Sequence, residues 1–256
     1  MLHALKHHWR DYLLEAGGLL VFMVGAGAFG TLFLYPGSPV SQAIPSDLLK
    51  HIGFGACMGL VTFGIVSVAG EKSGAHINPA VTWTFYRQGK INGADAIWYT
   101  IAQFAGAIVA PRLLYAVIGA PFADEKVKYA TSQPGPGGDL VAFAAEFVIS
   151  FILMLAVLIA LNSERLEKKA PAIISVLIAV YIAFESPLSG MSMNPARSFG
   201  SALTANQWDG IWVYFVAPML AMLLAAVVYD WMRAAKSPLV TADFKPSPHY
   251  PIAEGA

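Results

Sequence analysis

Two copies of one tripeptide, Asn78-Pro79-Ala80 and Asn194-Pro195-Ala196, stand in opposite halves of the chain. Ser and Gly precede both at the same offsets, as Ser73-Gly74 and Ser189-Gly190. A single Asn-Pro pair is ordinary capping chemistry: Asn caps a helix from its side chain, and Pro takes the first helical position, where its missing N–H costs nothing. Two copies, each set between long apolar segments, point to a shared task. The chemistry on offer is that of donors and dipoles. Each helix start carries roughly half a positive charge, and each Asn amide offers N–H groups to a neutral oxygen. No glycine-rich phosphate loop, no Cys/His metal spacing and no Ser/His/Asp set stands out, so neither an enzyme nor a metal site is expected.

The elements that would hold these residues are membrane spans. Of 256 residues, 57% are hydrophobic and 12% charged, against about 25% charged in soluble domains. Lys plus Arg equals Asp plus Glu at 16 each, which argues for no polyanionic partner, nucleic acid included. Cys57 is the single cysteine, so no intrachain disulfide framework exists. A helix needs roughly 20 apolar residues to cross about 30 Å of hydrocarbon. Runs of that kind fall at 12–34, 48–69, 95–118, 140–161, 171–187 and 211–232. The first reads as a retained span, since no short apolar core with a small-residue cleavage site is seen. Six spans put both termini on one side, and that side would carry eleven of the sixteen Lys and Arg residues. By the positive-inside bias, residues 1–11 and the tail 233–256, with its four prolines from Pro238 to Pro251, are expected in the cytoplasm of a cell whose plasma or inner membrane holds the protein. Residues 119–139, rich in Pro and Gly at 134–138, read as an extracytoplasmic connector.

The chain is a diverged internal repeat, 12–118 and 140–232, with three spans in each. Glu15 and Glu146 lie early in the first span of each half; Gln103 and Pro218 follow their Asn by 25 and 24 residues. Three is odd, so the halves insert with opposite topology, an arrangement that places the working site near the midplane on broken helices. Helix-compatible runs of ten residues, 78–87 and 194–203, follow the two Asn. Each covers about 15 Å, so two entering from opposite faces would meet and complete a seventh crossing. Converging N-termini oppose cations and protons. The backbone leading into them cannot face lipid unsatisfied, so it would line a water-filled path whose carbonyls accept hydrogen bonds. Donors at the centre and acceptors on the approach describe a route for water or small hydroxylated solutes. Arg197, where the first copy has Val81, would sit one turn outward, and an intramembrane arginine is by default functional; a structural pairing with a carboxylate or loop carbonyls is the alternative.

These residues resemble the aquaporin family (major intrinsic proteins) over about residues 10–232. The resemblance rests on Ser-Gly-Ala-His-Ile-Asn-Pro-Ala-Val-Thr at 73–82, Asn-Pro-Ala-Arg-Ser-Phe-Gly-Ser-Ala at 194–202, the glutamates Glu15 and Glu146, and Ala-Gln-Phe-Ala-Gly-Ala at 102–107. It implies an all-α membrane fold of six transmembrane helices plus two re-entrant half-helices in an inverted repeat. It also implies a homotetramer with one pore per subunit, passive flux and no cofactor. By the same resemblance Glu15 and Glu146 support the loops, and the four filter positions fall on Met58, Ile182, Met191 and Arg197. His76 is expected to pack its loop through hydrogen bonds and not to bind a metal.

Within the family, Ser198, Ala202 and Tyr214-Phe215 look like the water-channel side, whereas glycerol facilitators carry Asp and Lys at the first two positions. The filter departs from that pattern. Met58 and Ile182 stand where water-selective members usually have Phe and His, so the polar wall facing the arginine is lost and flexible Met side chains can move aside. Two outcomes stay open: water permeation with tolerance for glycerol, urea, ammonia or gases, or a filter plugged by Met58 or Met191 that passes water alone. A glycerol facilitator with little water selectivity is a further reading. A coupled secondary transporter is another, since inverted repeats suit it too, with Glu15 and Glu146 as its only candidate carriers. The cluster His3, His7, His8 is expected to be a solvated terminus, and Arg112 to snorkel to the outer interface.

Overall fold

The computed structural model describes residues 1–236, in which the regular elements are all helical. The proline-bearing tail from 237 lies outside the described residues. Eight principal helices follow in order: α1 (Leu2–Leu34), α2 (Asp47–Ser73), α3 (Pro79–Arg87), α4 (Gly93–Ile118), α5 (Gly138–Leu161), α6 (Ala170–Phe184), α7 (Pro195–Ala205) and α8 (Ile211–Lys236). Five of them, α1, α2, α4, α5 and α8, are long and apolar enough to cross a membrane on their own. The sixth crossing is α6, which has only 15 residues, about 22 Å at 1.5 Å each. A turn at Glu185 and the helical residues Ser186–Ser189 extend it. The two half-helices have 9 and 11 residues, together about one membrane thickness. This is a six-span, two-half-helix inverted repeat.

The packing is exchanged between halves. α1 packs on α4 and α5 on α8, while α2 and α6 meet across the two halves. Each half-helix also lies on the closing span of the opposite half, α7 against α4 and α3 against α8. Small residues permit these approaches. A Cβ on Gly106 would come within 2.1 Å of the Ala16 carbonyl oxygen, and one on Gly55 within 2.4 Å of that of Ala179.

The first helix starts ten residues before the expected span. Its initial segment kinks at His8 (φ −112°, ψ 15°) and is tied down by tertiary bonds. His8 Nδ1 lies 2.9 Å from Asp95 Oδ1, Tyr12 Oη donates to the same oxygen at 2.5 Å, and Trp98 Nε1 donates to the Met1 carbonyl. His8 is therefore a tertiary contact and not a solvated terminal residue; His3 and His7 stack on each other 4.0 Å apart. Arg112 is exposed and donates to the Ile108 carbonyl of its own helix at 2.6 Å.

Gly55→Leu is expected to wedge α2 from α6. Overpacking of this kind costs about 1–3 kcal/mol, more here because the obstacle is backbone. A lowered thermal midpoint of the purified protein in detergent is the check.

A candidate pore where two half-helices meet

The loops entering the half-helices are conformationally costly. Gly74 and Gly190 take left-handed φ (83° and 79°), which ends the preceding helical segment. Beyond them Ala75, Ile77, Met191 and Met193 also have positive φ, between 41° and 53°. For a β-branched residue such as Ile77 this is a rare conformation. Its effect is to turn successive N–H groups toward one point, and a glutamate stands at that point in each half. Glu15, fully buried on α1, accepts from Ser73 Oγ (2.8 Å), His76 N (2.9 Å), Ile77 N (2.5 Å) and Gln103 Nε2 (2.8 Å). Two bonds fall on each oxygen, which uses the whole acceptor capacity of the carboxylate. Glu146 on α5 does the same for the other loop, accepting from Ser189 Oγ (2.7 Å), Ser192 N (2.6 Å) and Met193 N (2.6 Å).

The tyrosines add a second matched pair. Tyr99 Oη donates to the Ser73 carbonyl at 2.8 Å and Tyr214 Oη to the Ser189 carbonyl at 2.6 Å, fixing the last turn before each loop. Neither tyrosine was expected to hold a loop, although they follow their Asn by 21 and 20 residues. His76 packs its loop against the half-helix. Its Nδ1 lies 3.1 Å from Thr82 Oγ1, and its ring stacks on Phe85 at 4.8 Å.

So held, the two Asn face each other. Asn78 Oδ1 accepts from Ala80 N (2.9 Å), and Asn194 Oδ1 from Ala196 N (3.1 Å) and Arg197 N (3.2 Å). Each amide then reaches across: Asn78 Nδ2 donates to the Met193 carbonyl at 2.7 Å, and Asn194 Nδ2 to the Ile77 carbonyl at 2.8 Å. An amide nitrogen has two hydrogens, so one on each Asn remains for a third party. Pro79, Ala80, Pro195 and Ala196 are buried beneath this junction. A cavity of about 430 Å³ runs from it to the face bearing Glu167 and Lys168. One wall is the loop from Gly74 to Asn78; the other is apolar, with Val66, Leu153, Val157 and Ile178.

On the opposite side of the junction lie the remaining expected site residues. Met58, Ile182 and Met191 belong to one apolar cluster with Met154. Met58 is inaccessible to solvent, its sulfur against Gly25 of α1, 3.4 Å from where a Cβ would stand. Arg197 is buried at 8% exposure and its Nη1 donates to Ser132 Oγ. Ser132 in turn accepts from Ser198 Oγ at 3.0 Å, and Ser198 Oγ lies 2.5 Å from Ser192 Oγ. The segment 119–139 is thus more than a connector. It supplies the arginine's partner, and Gly135 N donates to the Leu188 carbonyl at 2.9 Å. A lone Ser among Pro and Gly carries no periodic signal by which to find it.

Six crossings with two half-helices joined N-terminus to N-terminus define a multi-pass membrane protein with a polar junction at mid-depth. The comparisons with known proteins agree. The family model described as major intrinsic protein matches residues 4–229. Similar proteins include "Aquaporin NIP1-2" of Oryza sativa subsp. japonica, 32% identical over 86% of this chain and 74% of that one. "Aquaporin TIP2-1" of Arabidopsis thaliana is 33% identical over 92% and 93%, and "Nodulin-26" of Glycine max 31% identical over 84% and 79%. Among solved structures, the aquaglyceroporin from Plasmodium falciparum superposes with a TM-score of 0.77 at 22% identity, over 91% of this chain and 100% of that one, and shows the same fold. The chain belongs to the major intrinsic protein family.

Glu15→Gln tests the brace. The amide would turn N–H groups toward other donors, and each buried group left unpaired costs about 1–3 kcal/mol. The expected result is a lower thermal midpoint together with loss of permeability in proteoliposomes.

Proposed function

We propose that the protein is a passive channel for water that excludes ions and protons and also admits small neutral solutes. The observation that carries this reading is the pair of spare amide hydrogens on Asn78 and Asn194, presented where two helix N-termini converge. A water oxygen accepting from both turns its own hydrogens outward, toward the acceptors of each approach. The converging helix ends, each worth roughly half a positive charge, raise the energy of any cation there. Arg197, one turn along α7, adds a full positive charge at the second level. The names of the aquaporin relatives accord with this reading. Glu15, whose two oxygens each accept two hydrogen bonds, is disfavoured as the proton carrier of a coupled cycle.

Selectivity would be set by Met58, Ile182, Met191 and Arg197. Three of these four side chains are apolar and Arg197 is the donor among them, so size more than hydrogen bonding discriminates. The sulfur of Met58 lies against Gly25 of α1, and a thioether can move aside, which favours tolerance of glycerol, urea or ammonia over a strict water filter. We also place both termini in the cytoplasm, the protein in a plasma or inner membrane, and four copies in the assembly, each with its own pore. The Lys and Arg distribution supports the first of these.

Stopped-flow light scattering on proteoliposomes tests the function. Water and glycerol fluxes above those of empty vesicles, linear in the gradient and insensitive to ionophores, are expected; no water flux would overturn the channel. The double substitution Met58→Phe with Ile182→His is expected to cut glycerol flux about tenfold, equivalent to a barrier rise of about 1.4 kcal/mol, and to spare water. Unchanged glycerol flux would remove these residues from the filter.

A further inference from the structure

The two braces differ in one respect. In the first half Glu15 has a fourth donor, Gln103. In the second, Glu146 has three donors, and a second carboxyl, Glu185, stands where the first repeat has Ala69. Glu185 is 8% exposed at the end of α6, and its Oε1 is hydrogen-bonded to Ser189 Oγ. Ser189 Oγ also donates to Glu146 Oε1 at 2.7 Å and accepts from Met191 N at 3.2 Å.

A serine hydroxyl has one hydrogen and two lone pairs, so it cannot donate to both carboxylates. Glu146 claims the hydrogen, because it already gathers the backbone N–H groups of Ser192 and Met193 as an anion would. One lone pair of Ser189 Oγ takes the Met191 N–H. The other can be filled only if Glu185 is the donor. We infer that Glu185 is a protonated carboxylic acid that positions the second loop through the relay Glu185 O–H to Ser189 O–H to Glu146. The same serine in the first repeat, Ser73, donates to Glu15 and accepts from Ala75 N but has no such partner.

The charged and titratable groups facing Glu185 are Glu146 on α5, Arg197 on α7 and Tyr214 on α8. Ionisation would set a second carboxylate against Glu146 and leave both competing for one hydrogen. It would also offer Arg197 an anion in competition with Ser132. Both changes act on the loop that carries Met191 and Arg197. Glu185 is thus a positioning residue for the outer side of the junction, and its proton makes that role pH-dependent. The functional consequence rests on the channel reading; the protonation state does not.

The test uses the full chain in proteoliposomes. Ionisation places like charges side by side, so wild-type water permeability is expected to fall about twofold or more from neutral to alkaline pH. Glu185→Gln donates to Ser189 and never ionises; it should keep the neutral-pH permeability at every pH. Glu185→Ala leaves the lone pair of Ser189 unfilled and should give low permeability without pH dependence. A flat wild-type profile, or a Glu185→Gln profile that follows the wild type, would overturn the inference. Infrared difference spectroscopy reads the proton directly, whatever the transport result. The carbonyl stretch of a protonated carboxyl should be present in the wild type and absent in Glu185→Gln. Its absence from the wild type would overturn the assignment even if water passes, and its presence would uphold it even if water does not.

Discussion

A buried carboxylate beneath each loop is the interaction on which the rest depends. Ala75 and Ile77 in one loop, Met191 and Met193 in the other, occupy left-handed backbone conformations that cost about 1–3 kcal/mol each. In lipid the N–H groups those conformations expose would be costlier still without partners. Glu15 and Glu146 collect them in charge-assisted bonds, the strongest kind available to a backbone N–H. Only loops held in this shape put Asn78 and Asn194 at the starts of α3 and α7, with the opposite carbonyls in reach. The half-helices are therefore consequences of the braces as much as of their own capping residues.

The two halves depend on each other through the same geometry. Asn78 needs the Met193 carbonyl, Asn194 needs the Ile77 carbonyl, and each half-helix rests on the closing span of the opposite half. No single repeat contains a complete junction. Against that symmetry the departures collect on one side. Arg197 replaces Val81 and Glu185 replaces Ala69, and Ser132 is drawn in from the segment between repeats. The other side keeps a cavity with an apolar wall and the stacked His76. One side thus adds a buried arginine and hydroxyls to an apolar cluster, while the other sets an apolar wall against a carbonyl-bearing loop and opens beside Glu167 and Lys168.

What could be read from residues alone follows from what produces a pattern. Apolar runs disclose spans because lipid imposes length, and two identical tripeptides disclose the half-helices because capping and proline have fixed positions. Bonds made across the fold leave no such trace. The extension of α1 ahead of its apolar run depends on Asp95 meeting His8 and Tyr12 from another helix, a contact that composition does not disclose. Ser132 has no local reason to matter until α7 brings Arg197 beneath it. The position of the Met58 sulfur is likewise invisible in sequence, since it lies against Gly25, one helix away.

That last contact bears on how such a pore divides its tasks. In the proposed channel ion exclusion would arise at the junction, from helix dipoles and Asn amides that tolerate little change because the braces and cross-bonds all act on the same few atoms. Width would be decided elsewhere, by side chains of α2 and α6, whose backbones are packed against each other. A thioether is deformable, and at Met58 it packs against Gly25 of a neighbouring helix. Solute range can therefore drift by substitutions in the span bundle while the junction stays intact. On that reading charge discrimination would lie at a site where the backbone has no alternative, and size discrimination where it has several.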